Sequence, residues 1–284
     1  MTKIILIDWN GIAIGNIVSQ KMDADENLIR HMILNTVRMY RKRFHREYGE
    51  VVICCDGGKN WRKEYFPQYK FKRKQDREES STDWNRIFEI LHMVLDEIKE
   101  NFPYKVVHVQ ECEADDIIAT LAYDTQEFGN YEQVLIVSSD KDFLQLQSLS
   151  NVKQFSPLKK KIITELNPKQ RLLEHILRGD AGDGVPNVLS DDNCFVEGRR
   201  QSPVTSKFIY KVIDTEKNCF NQDNLRNFNR NETLIDLTKT PDLVKQKIIN
   251  NYYSQSKEEN RSKVLPFLIS KRCKLLIECV EEFI

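Results

Sequence analysis

Four short apolar runs, each closing on acid, constrain this chain more than any other feature. IILI leads into Asp8, and VVICC leads into Asp56. VVHV leads into ECEADD, with Glu113, Asp115 and Asp116, and VLIVSS leads into Asp140 and Asp142. The runs are rich in β-branched residues and read as strands over Lys3–Ile7, Glu50–Cys55, Lys105–Val109 and Gln133–Ser138. Between them the apolar spacing turns helical, in Leu28–Phe44, Asp83–Phe102 and Ala114–Phe128. This alternation predicts an α/β fold, a mostly parallel central sheet wrapped by helices. Such sheets bind ligands at the carboxyl ends of their strands. Four chain segments therefore bring carboxylate to one rim. Charges of one sign crowded there repel, and a hard divalent cation with oxygen ligands, Mg²⁺ or Mn²⁺, is the natural compensator.

Each acid also has a plainer explanation. Asp8 alone reads as a turn residue, and the acids of ECEADD favour the start of the following helix. Asp140 can cap the short helix KDFLQL. Asp180 and Asp183 of GDAGDG can be ordinary turn residues. Their recurrence at equivalent ends of successive strands favours the shared rim.

Composition removes other classes. No apolar run approaches the roughly 18 residues of a membrane span, and MTKIILIDWNG reaches an acid too early for a signal peptide. The seven cysteines include no C-x-x-C, which argues for reduced thiols and against a disulfide framework or zinc site.

The net charge is zero, with 43 basic and 43 acidic residues, yet the charge is unevenly spread. From Lys59 to Arg77 there are eight basic residues against two acids, interleaved with Trp61, Tyr65, Phe66, Tyr69 and Phe71. Cations suit phosphates and rings suit stacked bases, although a solvated helix face over packed aromatics gives the same pattern. Four further basic residues and no acid lie between Arg199 and Lys211. After Ser150 the pattern changes: a hairpin (Val152–Phe155, Lys161–Thr164), a helix over Pro168–Arg178, the turn GDAGDGVPN, a mobile polar loop over Ser190–Pro203, then helices. These place a boundary near residue 150, between an α/β domain over 1–150 and a smaller, mainly helical domain over 151–284.

Five pieces, LIDWNG, CCDGGKNWRKEYFPQYKFKR, ECEADDIIA, VSSDKDFLQL and GDAGDGVPNV, occur in order. Together they resemble the 5′-nuclease (flap endonuclease) family, and within it the RNase H branch, 5′→3′ exonucleases of T-even-type bacteriophages. The resemblance implies a PIN-like or resolvase-like nuclease domain with a basic arch over about 57–82. It also implies a second domain carrying a helix–turn–helix that grips duplex DNA, with room for a monovalent cation. It implies two Mg²⁺ ions, with Mn²⁺ as a substitute. Asp8, Asp56, Asp115 and Asp140 would surround the first, helped by Glu113 and Asp116; Asp142, Asp180 and Asp183 would serve the second. Lys70 and Arg73 match the family's basic pair beside the scissile phosphate, so Lys70, Arg73, Asp8, Asp115 and Asp140 carry the chemistry. Arg62, Lys63, Lys70, Lys72, Arg73, Lys74, Arg77, Gly182 and Gly184 would touch nucleic acid. The family pattern G-D-x-x-D-N-I/V-P-G-V is broken here by Gly184 and Asn187, which puts the turn's backbone geometry in question.

The implied activity is metal-dependent hydrolysis of RNA–DNA hybrids and DNA, with removal of lagging-strand primers in the cytoplasm of an infected bacterium. The expected partners are DNA and RNA–DNA hybrid, with room for a sliding clamp and a single-strand-binding protein; a monomer and no membrane are expected. Two alternatives share parts of the pattern. A PIN-type ribonuclease needs the rim but not the basic segment, and a non-catalytic nucleic-acid-binding module would have lost carboxylates. A haloacid-dehalogenase-type phosphohydrolase needs Asp-x-Asp, which Asp8-Trp9-Asn10 lacks.

Overall fold

The computed structural model describes residues 3–20, 24–126 and 131–284, the side chains of residues 19, 20, 74 and 78 excepted. Its strands β1 (Ile4–Asp8), β2 (Glu50–Cys55), β3 (Lys105–His108) and β4 (Val134–Val137) are the four apolar runs. They are joined by β5 (Val152–Ser156) and β6 (Lys161–Ile163) in one sheet of order β3-β2-β1-β4-β5-β6. All neighbouring pairs are parallel except β5 with β6. The hairpin that the sequence sets apart is thus part of the main sheet: Gln154 and Phe155 are buried there, and β5 pairs with β4 in parallel.

Helices α1 (Trp9–Gln20) and α2 (Glu26–Tyr48) follow β1. Asp25 caps α2 by accepting from the Leu28 amide at 2.7 Å. Two short helices, α3 (Trp61–Tyr65) and α4 (Phe71–Glu78), occupy the basic segment, followed by α5 (Trp84–Asn101) and α6 (Ala114–Asp124). The last residues of the expected helix over Ala114–Phe128 lie outside the described residues. Beyond the sheet come α7 (Pro168–Arg178), α8 (Ser206–Thr215), α9 (Gln222–Ile235), α10 (Asp242–Tyr253), α11 (Val264–Ser270) and α12 (Lys274–Ile277). Among the described residues no helix is long and apolar enough to cross a membrane.

Where the sequence suggests one boundary near residue 150, the compact units interleave. The first holds the chain up to Lys59, Asp83–Thr164 and Asp242–Ile284; the second holds Asn60–Thr82 and Glu165–Pro241. The carboxyl-terminal helices belong with the sheet because they finish it. Gln255 reproduces a strand's hydrogen bonds at the β3 edge, accepting from the Val106 amide at 3.1 Å and donating to its carbonyl at 3.0 Å. Tyr104 and Asn260 add bonds to the carbonyls of Phe283 and Phe102. An apolar core of this unit runs from Ile5, Ile7 and Ile53 of the sheet to Val37, Leu91 and Leu268 of the helices, and Leu6, Val52, Ile118 and Ile136 are buried besides. The second unit has its own core, built on Phe66, Leu177, Val188, Ile209 and Phe228.

Candidate metal centre and basic segment

The site begins with how the strands end. Asp8 closes β1 at 8% exposure and caps α1: its Oδ1 accepts from the Gly11 amide at 2.9 Å. Gly11 is needed there, because a Cβ would stand 2.2 Å from Asp8 Oδ2. The other carboxylate oxygen accepts from Ser138 Oγ at 2.8 Å, and the same hydroxyl accepts from the Asp140 amide at 3.1 Å. Ser138 therefore ties the ends of β1 and β4 together. Beyond β2, Asp56 accepts from Asn10 Nδ2 at 2.7 Å and from the Ala114 amide at 2.8 Å, which joins β2 to the start of α6. Asp142 donates its amide to Asp140 Oδ1 at 2.9 Å.

These acids interact as a group. Burial pushes the Asp8 carboxyl up to about 6, and the charges of Asp56 and Asp140 add to that; the Gly11 amide and the Ser138 hydroxyl oppose it. Among the described residues no basic side chain forms an ion pair with Asp8, Asp56 or Asp140. Oxygen-only donors, mutual repulsion and the lack of a compensating cation fit a hard divalent ion. Asp115 lies partly exposed in the first turn of α6, next to buried Glu113. Asp116 is fully buried and turned back to accept from the Glu113 amide at 3.0 Å, so its geometry is that of the helix start.

The second unit holds the other acids. Asp180 Oδ1 accepts from the Asp183 amide at 3.0 Å, and its Oδ2 lies 3.2 Å from His175 Nε2. The His175 contact holds the Asp180 carboxyl down at about 2, against the opposing effect of burial. Asp183 faces the basic segment of its own unit: its carboxylate accepts from Tyr69 Oη at 3.0 Å, pairs with Arg73 and lies 3.7 Å from Lys70 Nζ. Gly184 has a φ of +72°, and a Cβ there would press on the Gln68 carbonyl at 3.0 Å.

Asn187 settles the question raised by the altered turn. It is absent from the residues with positive φ, so it needs no glycine-like freedom. Its side chain donates to the Ser202 carbonyl at 2.7 Å and accepts from the Leu189 amide at 3.0 Å. Arg230 and Asn231 of α9 both donate to the Pro186 carbonyl, at 2.7 and 2.9 Å. The segment expected as a mobile loop is pinned in the same way, through Ser202 to Ser190 at 3.0 Å and Arg226 to Asp192 at 3.0 Å.

The basic segment divides by burial. Lys63, Lys72, Arg73 and Arg77 are exposed, Lys70 is partly so, and the Lys74 side chain lies outside the described residues. Arg62 corrects the expectation: it is 1% exposed, donates to the Leu234 carbonyl at 2.9 Å and lies over the Trp61 ring. A guanidinium spent on the core has no face for a phosphate. Phe66 and Tyr69 are likewise buried, while Tyr65 and Phe71 stay half exposed. Sequence reasoning missed Ser138, Asn10, His175 and Arg230. The first two lie inside recognised motifs, whereas His175 and Arg230 meet the turn only through the fold.

Fold and rim together define a metal-dependent nuclease architecture. Residues 3–174 match the family model described as 5′-3′ exonuclease, N-terminal resolvase-like domain, and residues 167–283 match T4 RNase H, C terminal. The chain belongs to this 5′-3′ exonuclease family. It is 32% identical to the ribonuclease H of Enterobacteria phage T4 across 99% of this chain and 95% of that protein. It is 29% identical to flap endonuclease Xni of Shewanella denitrificans across 66% of this chain and 73% of that protein. The solved flap endonuclease D15 of bacteriophage T5, a complex with DNA and metal ions, has the same fold at a TM-score of 0.63. That match has 18% identity and covers 88% of this chain and 98% of that one.

Proposed function

We propose that this nuclease removes 5′ termini from RNA–DNA hybrids and from DNA, using Mg²⁺ with Mn²⁺ as a substitute. The observation that carries the reading is the tie between Asp8 and Asp140 through Ser138, beside Asp56 and, among the described residues, without a basic side chain paired to these acids. Asp8, Asp56, Asp115 and Asp140 would hold one ion with help from Glu113, and Asp180 and Asp183 are assigned to a second. Bound ions would lower the pKa of the attacking water and stabilise the leaving 3′-oxygen. Lys70 and Arg73 would neutralise charge developing on the phosphate oxygens. The exposed Lys63, Lys72 and Arg77, with Lys74, would take backbone phosphates, and exposed Gly182 would let a strand approach the turn, whereas Gly184, expected to touch nucleic acid, is buried against the Gln68 backbone. A monovalent cation at this turn would have to use carbonyls other than that of Pro186, which already accepts from Arg230 and Asn231.

The sheet-bearing unit would hold the first ion, and the helical unit would supply Asp180, Asp183, Lys70 and Arg73 together with the grip on duplex. Work as a monomer on lagging-strand primers in an infected bacterium, beside a sliding clamp and a single-strand-binding protein, fits the likeness to the phage T4 enzyme. The test is cleavage of end-labelled RNA–DNA hybrid, 5′-flap and single-strand substrates in Mg²⁺ and in chelator. Metal-dependent release of 5′-phosphorylated products from hybrid or flap is expected. Release that continues in chelator would overturn the reading.

A further inference from the structure

Gln154 sits in the middle of β5, opposite Ile136 of β4 and Ile163 of β6, at 0% exposure. Its amide nitrogen reaches past the end of β4 and donates to two main-chain carbonyls, Ser138 at 3.0 Å and Asp140 at 2.6 Å. Its Oε1 is fully buried and accepts no hydrogen bond among the described residues. A buried amide with an orphaned oxygen is a costly way to fill a strand interior, and an apolar side chain of similar length would spare that cost only by taking this donor from the two carbonyls. The two donated bonds are what this residue type supplies, and both fall on the loop that presents Asp140.

We propose that Gln154 is a positioning residue for the metal centre. It fixes the main chain on either side of Ser139, so that the Asp140 carboxylate and the Ser138 hydroxyl keep their geometry with Asp8. The inference rests on the reading of Asp140 as a metal ligand. Partners one shell out from a ligand orient it, and their loss typically weakens metal affinity by about 10–100-fold.

The experiment is calorimetric titration of the full chain with Mn²⁺, without nucleic acid, for wild type, Gln154→Met and Asp140→Asn. Gln154→Met is expected to melt in chelator within a few degrees of wild type. It should bind Mn²⁺ about 10–100-fold more weakly, recover its maximal rate at high Mn²⁺ and keep its KM for DNA. An unchanged Mn²⁺ affinity in a folded Gln154→Met protein overturns the proposal. An Asp140→Asn protein that binds Mn²⁺ like wild type sinks the ligand reading beneath it instead. Should Gln154→Met not fold, the side-chain amide resonance of Gln154 in the wild-type protein decides the matter. It should shift on addition of Mg²⁺ more than that of Gln147, whose amide donates to the Ile163 carbonyl; equal or absent shifts overturn the proposal.

Discussion

Lys70 and Asp183 are joined twice. The Lys70 amide donates to the Asp183 carbonyl at 2.7 Å, and its ammonium lies 3.7 Å from the Asp183 carboxylate. Lys70 keeps a left-handed backbone, with φ at 55°, while it does so. With Arg73 on the same carboxylate, the two cations of the basic pair share one acid within their own unit. Asp183→Asn should remove the charge that both cations share and loosen their hold. In chelator, where no metal takes part, the variant is expected to bind single strands more tightly. Its slope of log affinity against log salt should steepen by up to about 1.4, at about 0.7 for each new phosphate contact. Fluorescence anisotropy across a salt series measures this, and an unchanged slope would mean that neither cation reaches a phosphate.

Glycine at 184 is a backbone requirement. Its φ of +72° costs any residue with a Cβ about 1–2 kcal/mol, and the Gln68 carbonyl crowds the added methyl. Gly184→Ala should therefore lower unfolding free energy by about that amount. Gly15, in α1 with nothing within 4 Å of a Cβ, provides the contrast. Gly15→Ala should raise stability by about 0.5–1 kcal/mol through lower chain entropy in the unfolded state. Denaturant titration of the two variants checks both signs.

How much of this was legible in the sequence depended on the range of the interaction. Strands β1 to β4 and the helix over Pro168–Arg178 follow from local periodicity and a proline at a first turn. Helix α1 does not, because Gly11 and Gly15 dilute its pattern and its stability comes from burying Trp9, Ile12 and Ile17. The rim acids were legible because each sits at the same point after a strand. Asp116 looks the same in sequence, yet its carboxylate closes a turn of helix. Arg62 misled for the opposite reason: only the fold brings the Leu234 carbonyl, 172 residues away, against its guanidinium.

Asp8 makes the metal-free protein sensitive to pH. Its carboxyl is held up at about 6, against about 3.9 in an unfolded chain. A raised carboxyl stabilises the fold most below the unfolded value, and that contribution is lost as pH rises from about 4 through about 6. The loss amounts to about 3 kcal/mol by neutral pH. Asp8→Asn removes the ionisation while keeping an acceptor for Gly11. In chelator the variant should melt above wild type at pH 7.5 and level with it near pH 4, with cleavage lost throughout. A wild-type advantage at pH 7.5 would mean that Asp8 is compensated in the free protein.

The basic segment should separate into a structural cation and surface cations. Arg62→Ala orphans the Leu234 carbonyl, which costs about 1–3 kcal/mol, and also removes the guanidinium from the Trp61 ring. Arg62→Met keeps the volume and should fold with a smaller loss. Because Arg62 is buried, a folded Arg62→Met protein should bind single strands with the wild-type salt slope. Lys72 and Arg77 are exposed on α4 with Lys74 between them. Replacing all three with Ala should leave the melting temperature within a degree or two and flatten the slope by up to about two units. Thermal melts and a salt series with Ca²⁺ in place of Mg²⁺ read both quantities on the same samples. A flattened slope in Arg62→Met would put its guanidinium at the nucleic acid after all, and an unchanged slope in the triple variant would leave α4 a solvated face.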